Sequence, residues 1–212
     1  MKISYGITVC DEAEELLNLL TFMRPIIDEN DEVILLRDMD KTSVLVGRII
    51  ESQISLYKPE QLKVVESSLN GDFATFKNKL IENASGDYLF QIDADEIPNP
   101  FLIENIKPIL KVNDNVECFY IPRVNTVQGL TPSHIQKWGW RVDDRQRINY
   151  PDPQMRLFKL NKGIKWKNKV HEVLDGYKTN TILPYDTEDF CLMHIKSIEK
   201  QEKQNNFYEK LT

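Results

Sequence analysis

Between residues 3 and 112 the chain alternates strand-length apolar runs with stretches of helical spacing, and that alternation restricts it to a mostly parallel α/β sheet. The strand-like runs cover residues 3–9, 32–36, 62–65 and 88–92. Residues 12–23 place Ala13, Leu16, Leu17, Leu19, Leu20 and Met23 close to a 3.6-residue period, and 44–57 and 73–84 also read as helices. Parallel strands cannot be joined by hairpins and need such crossovers. Gly86 stands where a helix-ending glycine belongs, and Pro98 is placed to open a further helix to about Leu110.

After residue 112 the pattern changes. Residues 116–124 read as a strand, 129–153 carry turn formers, aromatics and charges without a period, and 155–159, 170–174 and 190–195 read as short strands. Residues 198–211 read as a polar terminal helix. The expectation is one domain over 1–212: a nucleotide-binding half, 1–112, and an elaboration, 113–212, packed on the same sheet. No apolar run approaches the ~20 residues of a membrane span. The N-terminus brings acids where a signal peptide would be apolar. Cys10, Cys118 and Cys191 each sit in an apolar run with no CxxC spacing, so buried free thiols are expected. Together these predict a reducing, cytoplasmic protein.

The net charge of −6 hides a split. Between Lys137 and Lys169 there are ten Lys and Arg against three acids, so the rest of the chain is strongly acidic. One basic segment on an acidic protein points to an anionic contact. The same stretch holds Trp138, Trp140, Tyr150, Phe158 and Trp166. Aromatic rings stack on sugars or bases, and cations hold phosphates.

The strongest chemical signal is Tyr88-Leu89-Phe90-Gln91-Ile92-Asp93-Ala94-Asp95-Glu96. A buried strand delivers carboxylates to its C-terminal end, where open α/β sheets bind ligands. Two Asp one residue apart on an extended chain point the same way. Such a pair suits a hard divalent cation, Mn²⁺ or Mg²⁺, which would neutralise a diphosphate. The competing structural role for Asp95 is to cap the following helix.

Several segments together resemble a family 2 glycosyltransferase of the GT-A fold. Residues 4–16, with Cys10-Asp11-Glu12-Ala13-Glu14-Glu15-Leu16, are similar to that family's first strand and its N-E-A-E-x-L helix start. Val33 to Asp40 resembles the second strand ending in D-D-G-S, with Asp38 on the second Asp. Asp72-Phe73-Ala74-Thr75-Phe76-Lys77-Asn78 resembles D-F-A-x-x-R-N, with Lys77 in place of Arg, and Asp93 to Glu96 matches D-A-D-E. Tyr150 to Phe158 is similar to Y-P-D-x-Q-x-R-L-F. Trp166 to Glu172 is similar to W-x-G-x-V-H-E, with Asn168 at the Gly. His194 with residues 203–211 resembles the closing H…K…R-N…L-L, with Asn205 where Arg is common.

The resemblance implies a metal-dependent, inverting glycosyltransferase that takes a sugar from a nucleotide diphosphate donor, a UDP-sugar first. Residues 1–112 would be its nucleotide-sugar half and 113–212 its acceptor half. The donor would be held by Thr8, Cys10, Glu12, Asp38, Lys77, Asp93 and Ala94. Asp95 and His194, with His171, would be the metal ligands. Inversion needs a carboxylate to take the acceptor's proton; Glu172 is the candidate, with Asp144 and Asp152 in reserve. Trp140, Arg145, Arg147, Gln154, Arg156 and Trp166 would meet the acceptor. The acceptor would be a glycan or a phosphorylated sugar, or DNA carrying hydroxymethylated bases, as a phage-type enzyme would decorate. Two other classes compete. A nucleotidyltransferase would carry a basic, glycine-rich phosphate loop after the first strand, whereas Cys10 to Glu15 is acidic. A non-catalytic sugar- or nucleic-acid-binding module leaves the ordered carboxylates unexplained.

Overall fold

A computed structural model describes residues 1–41 and 43–208. The first half runs β1 (Ile3–Val9), α1 (Ala13–Met23), β2 (Glu32–Asp38), α2 (Val44–Ile54), β3 (Leu62–Ser67), α3 (Phe73–Asn83) and β4 (Tyr88–Asp93). It continues with β5 (Ile97–Pro98), α4 (Pro100–Val112), β6 (Cys118–Ile121), β7 (Arg123–Gln128), α5 (Pro132–Trp138) and β8 (Gln154–Lys159). The last elements are β9 (Lys165–Lys167), β10 (Val173–Asp175), β11 (Asn180–Ile182), β12 (Leu192–Ser197) and α6 (Ile198–Tyr208). The terminal helix was expected to reach Leu211, which lies outside the described residues.

The main sheet has the order β11-β6-β8-β4-β1-β2-β3. β1 pairs in parallel with β2 and β4, and β2 with β3, while β8 enters antiparallel between β4 and β6. Both faces of this sheet are covered, which is why its central strands are apolar almost throughout. Ile3, Tyr5 and Ile7 face one layer with Leu16 and Leu20 of α1, Val46 of α2 and Leu102 and Ile106 of α4. Ile34, Leu36 and Leu89 face the other, with Ala74, Phe76 and Leu80 of α3. Each such side chain contributes roughly 1.5–3 kcal/mol on burial, so the sheet is a rigid platform for whatever its strand ends carry.

The structure corrects several sequence expectations. The strand expected over 116–124 is two strands. Pro122 has no N–H for the ladder and breaks it, so β6 stays in the main sheet and β7 joins a separate three-stranded sheet, β5-β12-β7. Gly86 does not end a helix: α3 stops at the extended Ala84. Gly86 is needed because a Cβ there would lie 2.7 Å from Ser4 Oγ and 2.8 Å from Ser4 N. Pro98 sits in β5, and the next helix opens at Pro100 behind the side-chain cap of Asn99. The expected strand over 170–174 begins only at Val173. β9, α5 and β11 were not foreseen; the two strands have three residues each, too few to display a period. Among the described residues, no helix is long and apolar enough to cross a membrane.

Candidate active site

The C-terminal ends of β1, β2 and β4 open into a cleft of about 700 Å³. Thr8 and Cys10 come from β1 and its loop, Asp38 from β2, and Asp93, Ala94 and Asp95 from the end of β4. The opposite wall is built from the second half of the chain: Asn125 on β7, Gln154 and Arg156 on β8, and His194 and Lys196 on β12. α6 closes the top through Gln201, Gln204 and Asn205. It is strapped to the β1–α1 region by ion pairs from Lys200 to Glu15 and from Lys203 to Asp11. This is the position where a parallel sheet presents groups to a ligand.

The carboxylates of Asp93-Ala94-Asp95-Glu96 do not point the same way, as an extended chain would require. The strand ends at Asp93 and turns, with Glu96 N donating to Asp93 O at 2.9 Å. Asp93 accepts from Thr8 Oγ1 at 2.8 Å and from Arg156 Nη2 at 2.5 Å. Glu96 is fully buried and accepts from Arg156 Nη2 at 2.7 Å and Arg123 Nη1 at 2.9 Å. Arg123 continues to Asp152 Oδ2 at 2.8 Å. Burial opposes charge on Asp93, but Arg156 and Lys77 outweigh it and hold the carboxyl well below its ordinary value. Arg156 was expected to meet the acceptor. It is buried between Asp93 and Glu96 instead and fixes the turn.

The turn sends Asp95 elsewhere. Asn99 caps α4, so Asp95 is not its cap. Asp95 Oδ2 lies 3.2 Å from His194 Nε2 and 3.2 Å from Lys196 Nζ. His194 Nδ1 lies 2.7 Å from Asn125 Oδ1, which orients the ring with Nε2 toward Asp95. Burial pushes the Asp95 carboxyl up, but His194 and Lys196 pull harder and bring it down to about 2. A carboxylate and an imidazole at one point are a donor set that Mn²⁺ accepts. His171 does not complete it. Among the described residues no group of three or more His, Cys, Asp or Glu could hold a metal ion. Among the described residues, the cleft wall carries six acids (Glu12, Asp38, Asp93, Asp95, Asp152, Glu172) against four Lys and Arg (Lys77, Arg123, Arg156, Lys196). An anionic ligand in that cleft needs an added cation, so the residues fit a divalent ion completed by the ligand's own oxygens.

On the first-half side, the Glu12 carboxylate accepts from the backbone N–H of Cys10 at 2.8 Å and of Asp11 at 3.1 Å, which shapes the loop after β1. Cys10 is half-buried and lines the cleft, unlike the buried Cys118 and Cys191. Burial, with Glu12 and Asp38 adding, pushes its thiol up to about 12, so it stays protonated. Asp38 Oδ1 accepts from Asp40 N and Leu69 N, tying two loops together at the rim. Ala94 is buried, and its N–H donates to Thr8 O at 3.1 Å. Lys77 projects from α3, lies over the Trp166 ring at 4.8 Å, and forms an ion pair with Glu172. Glu172 and His171 both line the cleft, from the bend before β10. Asn168 has φ +73°, the left-handed region that a Gly would adopt freely and Asn tolerates. His171 holds φ +54°, a backbone outlier of the kind that gathers at functional sites.

On the second-half side, Trp140 and Gln154 line the cleft, and Trp166 is buried in its wall. Arg145 and Arg147 do not line it. Arg147 is held by Asp143 and Glu188, and Arg145 is exposed beside Glu188. Of the ten cations between Lys137 and Lys169, Arg156 alone lines the cleft among the described residues. Lys159 sits at the opposite end of β8, beside Tyr88. The basic stretch is therefore spread over several surfaces. Sequence reasoning missed Arg123, Asn125 and Lys196. Their signal was the two-residue period of a strand: Arg123 and Asn125 share one face of β7, and His194 and Lys196 share one face of β12.

Comparison with known proteins identifies the fold and the family. The chain is 29% identical over 184 residues, 87% of its length, to the SPbeta prophage-derived glycosyltransferase SunS of Bacillus subtilis (strain 168). The glycosyltransferase SunS of Bacillus phage SPbeta gives the same figures. The chain spans 37% of the length of these relatives. Among solved structures it superposes on S. aureus TarS 1–349 in complex with UDP-GlcNAc with a TM-score of 0.66 and 15% identity. That match covers 92% of this chain and 59% of the other. It also superposes on the mannosyltransferase PcManGT from Pyrobaculum calidifontis, in complex with GDP-Man and Mn²⁺, with a TM-score of 0.61 and 14% identity, over 90% and 56% of the two chains. The fold is GT-A. The family model described as glycosyl transferase family 2 matches residues 4–200, and the chain belongs to that family.

Proposed function

We propose that this chain transfers a sugar from a nucleoside diphosphate sugar, a UDP-sugar first, to an acceptor hydroxyl, with inversion and with Mn²⁺ or Mg²⁺. The observation that carries this reading is the cleft at the ends of β1, β2 and β4, where Asp95 faces His194 within an excess of acids. An excess of acids repels a diphosphate unless a divalent cation accompanies it. TarS in complex with UDP-GlcNAc and PcManGT in complex with GDP-Man and Mn²⁺ share the fold and support this class of donor. Residues 1–112 supply most of the donor wall and 113–212 the acceptor wall, within one domain.

Asp95 and His194 would hold the cation, which supplies charge neutralisation for the diphosphate. The chain's own residues do the rest. Thr8, Asp38 and the backbone of Cys10 and Ala94 shape the nucleoside side. Trp140, Gln154 and the amides of α6 receive an acceptor rich in hydroxyls. Glu172 takes the acceptor's proton. It is favoured over Asp152 on geometry: the Asp152 carboxylate already accepts from three side chains, Arg123, Asn125 and Gln154, whereas Glu172 lines the cleft with Lys77 as its ion-pair partner. Asp144 is exposed and does not line the cleft. A neutral glycan acceptor suits this wall better than a polyanion, since nine of the ten cations lie outside it.

The test is thermal melting and hydrolysis across a panel of nucleotide sugars, with Mn²⁺ and with EDTA. A UDP-sugar is expected to raise the melting temperature only with metal, because a ligand bound to the native state stabilises it by mass action. A GDP- or CDP-sugar doing better overturns the uridine assignment. Turnover undiminished in EDTA overturns the metal.

A further inference from the structure

His194 and Lys196 lie two residues apart on β12, so their side chains leave the same face of the strand. Both reach Asp95, and on the same oxygen, each at 3.2 Å. Lys196 is buried, and its other partner is the neutral Oε1 of Gln204 on α6 at 2.7 Å. Among the described residues, the other Lys and Arg lining the cleft are each paired with carboxylates other than Asp95: Lys77 with Glu172, Arg156 with Asp93 and Glu96, and Arg123 with Glu96 and Asp152. A buried ammonium is costly without an anion. A divalent ion on Asp95 claims the carboxylate that Lys196 holds and sets like charge beside it. An anion brought by the ligand must then balance Lys196. In a nucleoside diphosphate sugar the anionic part is the diphosphate, and lysine meets phosphate as a point charge.

We propose that Lys196 holds the donor's distal phosphate, the one bonded to the sugar, with Gln204 steering the ammonium. This rests on the transferase reading above. In the transfer, the acceptor oxygen bonds to the anomeric carbon and its proton passes to Glu172. The bond from that carbon to the phosphate oxygen breaks with its electron pair on the phosphate. Lys196 faces the charge the phosphate gains, so it serves the departing group as well as the bound donor.

UDP and UMP are titrated by calorimetry into wild-type, Lys196→Met and Lys196→Arg proteins at saturating Mn²⁺, and Mn²⁺ alone is titrated by electron paramagnetic resonance. K196M is expected to weaken UDP by about ten- to a hundredfold, the scale of a hydrogen bond to a charged group. UMP should change by less than about threefold, since it lacks the distal phosphate. Mn²⁺ alone should bind K196M at least as tightly as wild type, because the competing ammonium is gone. K196R should recover most of the UDP affinity. Equal effects on UDP and UMP, or none on either, overturn the role of Lys196 and leave the transferase reading standing on the wild type's Mn²⁺-dependent UDP binding. If wild type does not prefer UDP to UMP with Mn²⁺, the transferase reading fails, and this proposal with it. Should K196M melt as an unfolded chain, Lys196→Gln, which keeps length and polarity, carries the same comparison.

Discussion

Lys77 of α3 and Glu172, in the bend before β10, form an ion pair in the wall of the cleft, with the Lys77 ammonium over the face of Trp166. Sequence reasoning gives the two residues separate tasks, a donor contact and a proton acceptor. The pair makes each dependent on the other. Glu172→Gln is expected to lower kcat by about 10²–10⁴-fold, the usual worth of a general base, with donor affinity changed only a few fold. Lys77→Met is expected to weaken the donor more than it lowers kcat. The check is kcat and donor Kd for both variants and their double mutant. If both changes weaken the donor equally and leave kcat alone, Glu172 only anchors Lys77.

Asp95 supplies a pH signature. Its folded pKa lies at about 2, below the ordinary 3.8, because His194 and Lys196 outweigh its burial. A depressed carboxylate stabilises the fold above its unfolded pKa and loses that contribution as pH falls through the folded value. The contribution is on the order of 2 kcal/mol. Asp95→Asn should therefore be less stable than wild type in urea at pH 6, and the gap should shrink as the pH falls from about 4 toward 2. A gap that stays constant over that range would show that the interaction is not ionic.

Arg147 was read as an acceptor contact and is placed as a brace. It bonds Asp143 and Glu188 and lies 3.8 Å over the Tyr150 ring. Arg147→Ala should cost about 1–2 kcal/mol of stability and leave kcat/KM within about threefold. Arg145→Ala, at an exposed position, should do little to either. The measurements are urea melts and steady-state kinetics at two salt concentrations. A loss of acceptor affinity that flattens with salt would restore both arginines to the acceptor site.

Gly86→Ala tests the packing of the platform. The added methyl would meet Ser4 Oγ, Ser4 N and Lys2 O, all within 2.9 Å, and two of these are backbone. Overpacking of this kind costs about 1–3 kcal/mol. A lowered melting temperature with unchanged metal-dependent UDP binding is the expected result. An unchanged melting temperature would show that β1 and the loop before β4 can separate.

The first half of the fold was legible because its strands and helices are long enough to display their periods. β1 and β4 lie where the apolar runs predict them, and Asp38, Asp93 and Asp95 lie at strand ends. The second half was not, because its elements are short and its logic is ionic. Nothing in the order of residues announces that Arg156 turns inward to Asp93 while Arg145 turns outward. Pairing across about sixty positions decides it, as in the Arg156–Glu96 contact. The aim of Asp95 was also hidden. It depends on the turn at Ala94 and on His194, ninety-nine positions away. Lys196 was visible only as one lysine among many until β12 placed it beside His194.

Asp93, Arg156, Glu96, Arg123 and Asp152 form one line of alternating charges, in which each arginine serves two carboxylates. Removing either arginine strips an outer carboxylate, Asp93 or Asp152, of its guanidinium and leaves the buried Glu96 with one partner, which is costly. These five positions therefore cannot drift independently. In the descent of sequences that keep this cleft, an arginine lost from the line must be matched by a change at the outer carboxylate it held. The line should be inherited as a block, and substitutions within it should appear in compensating pairs rather than singly.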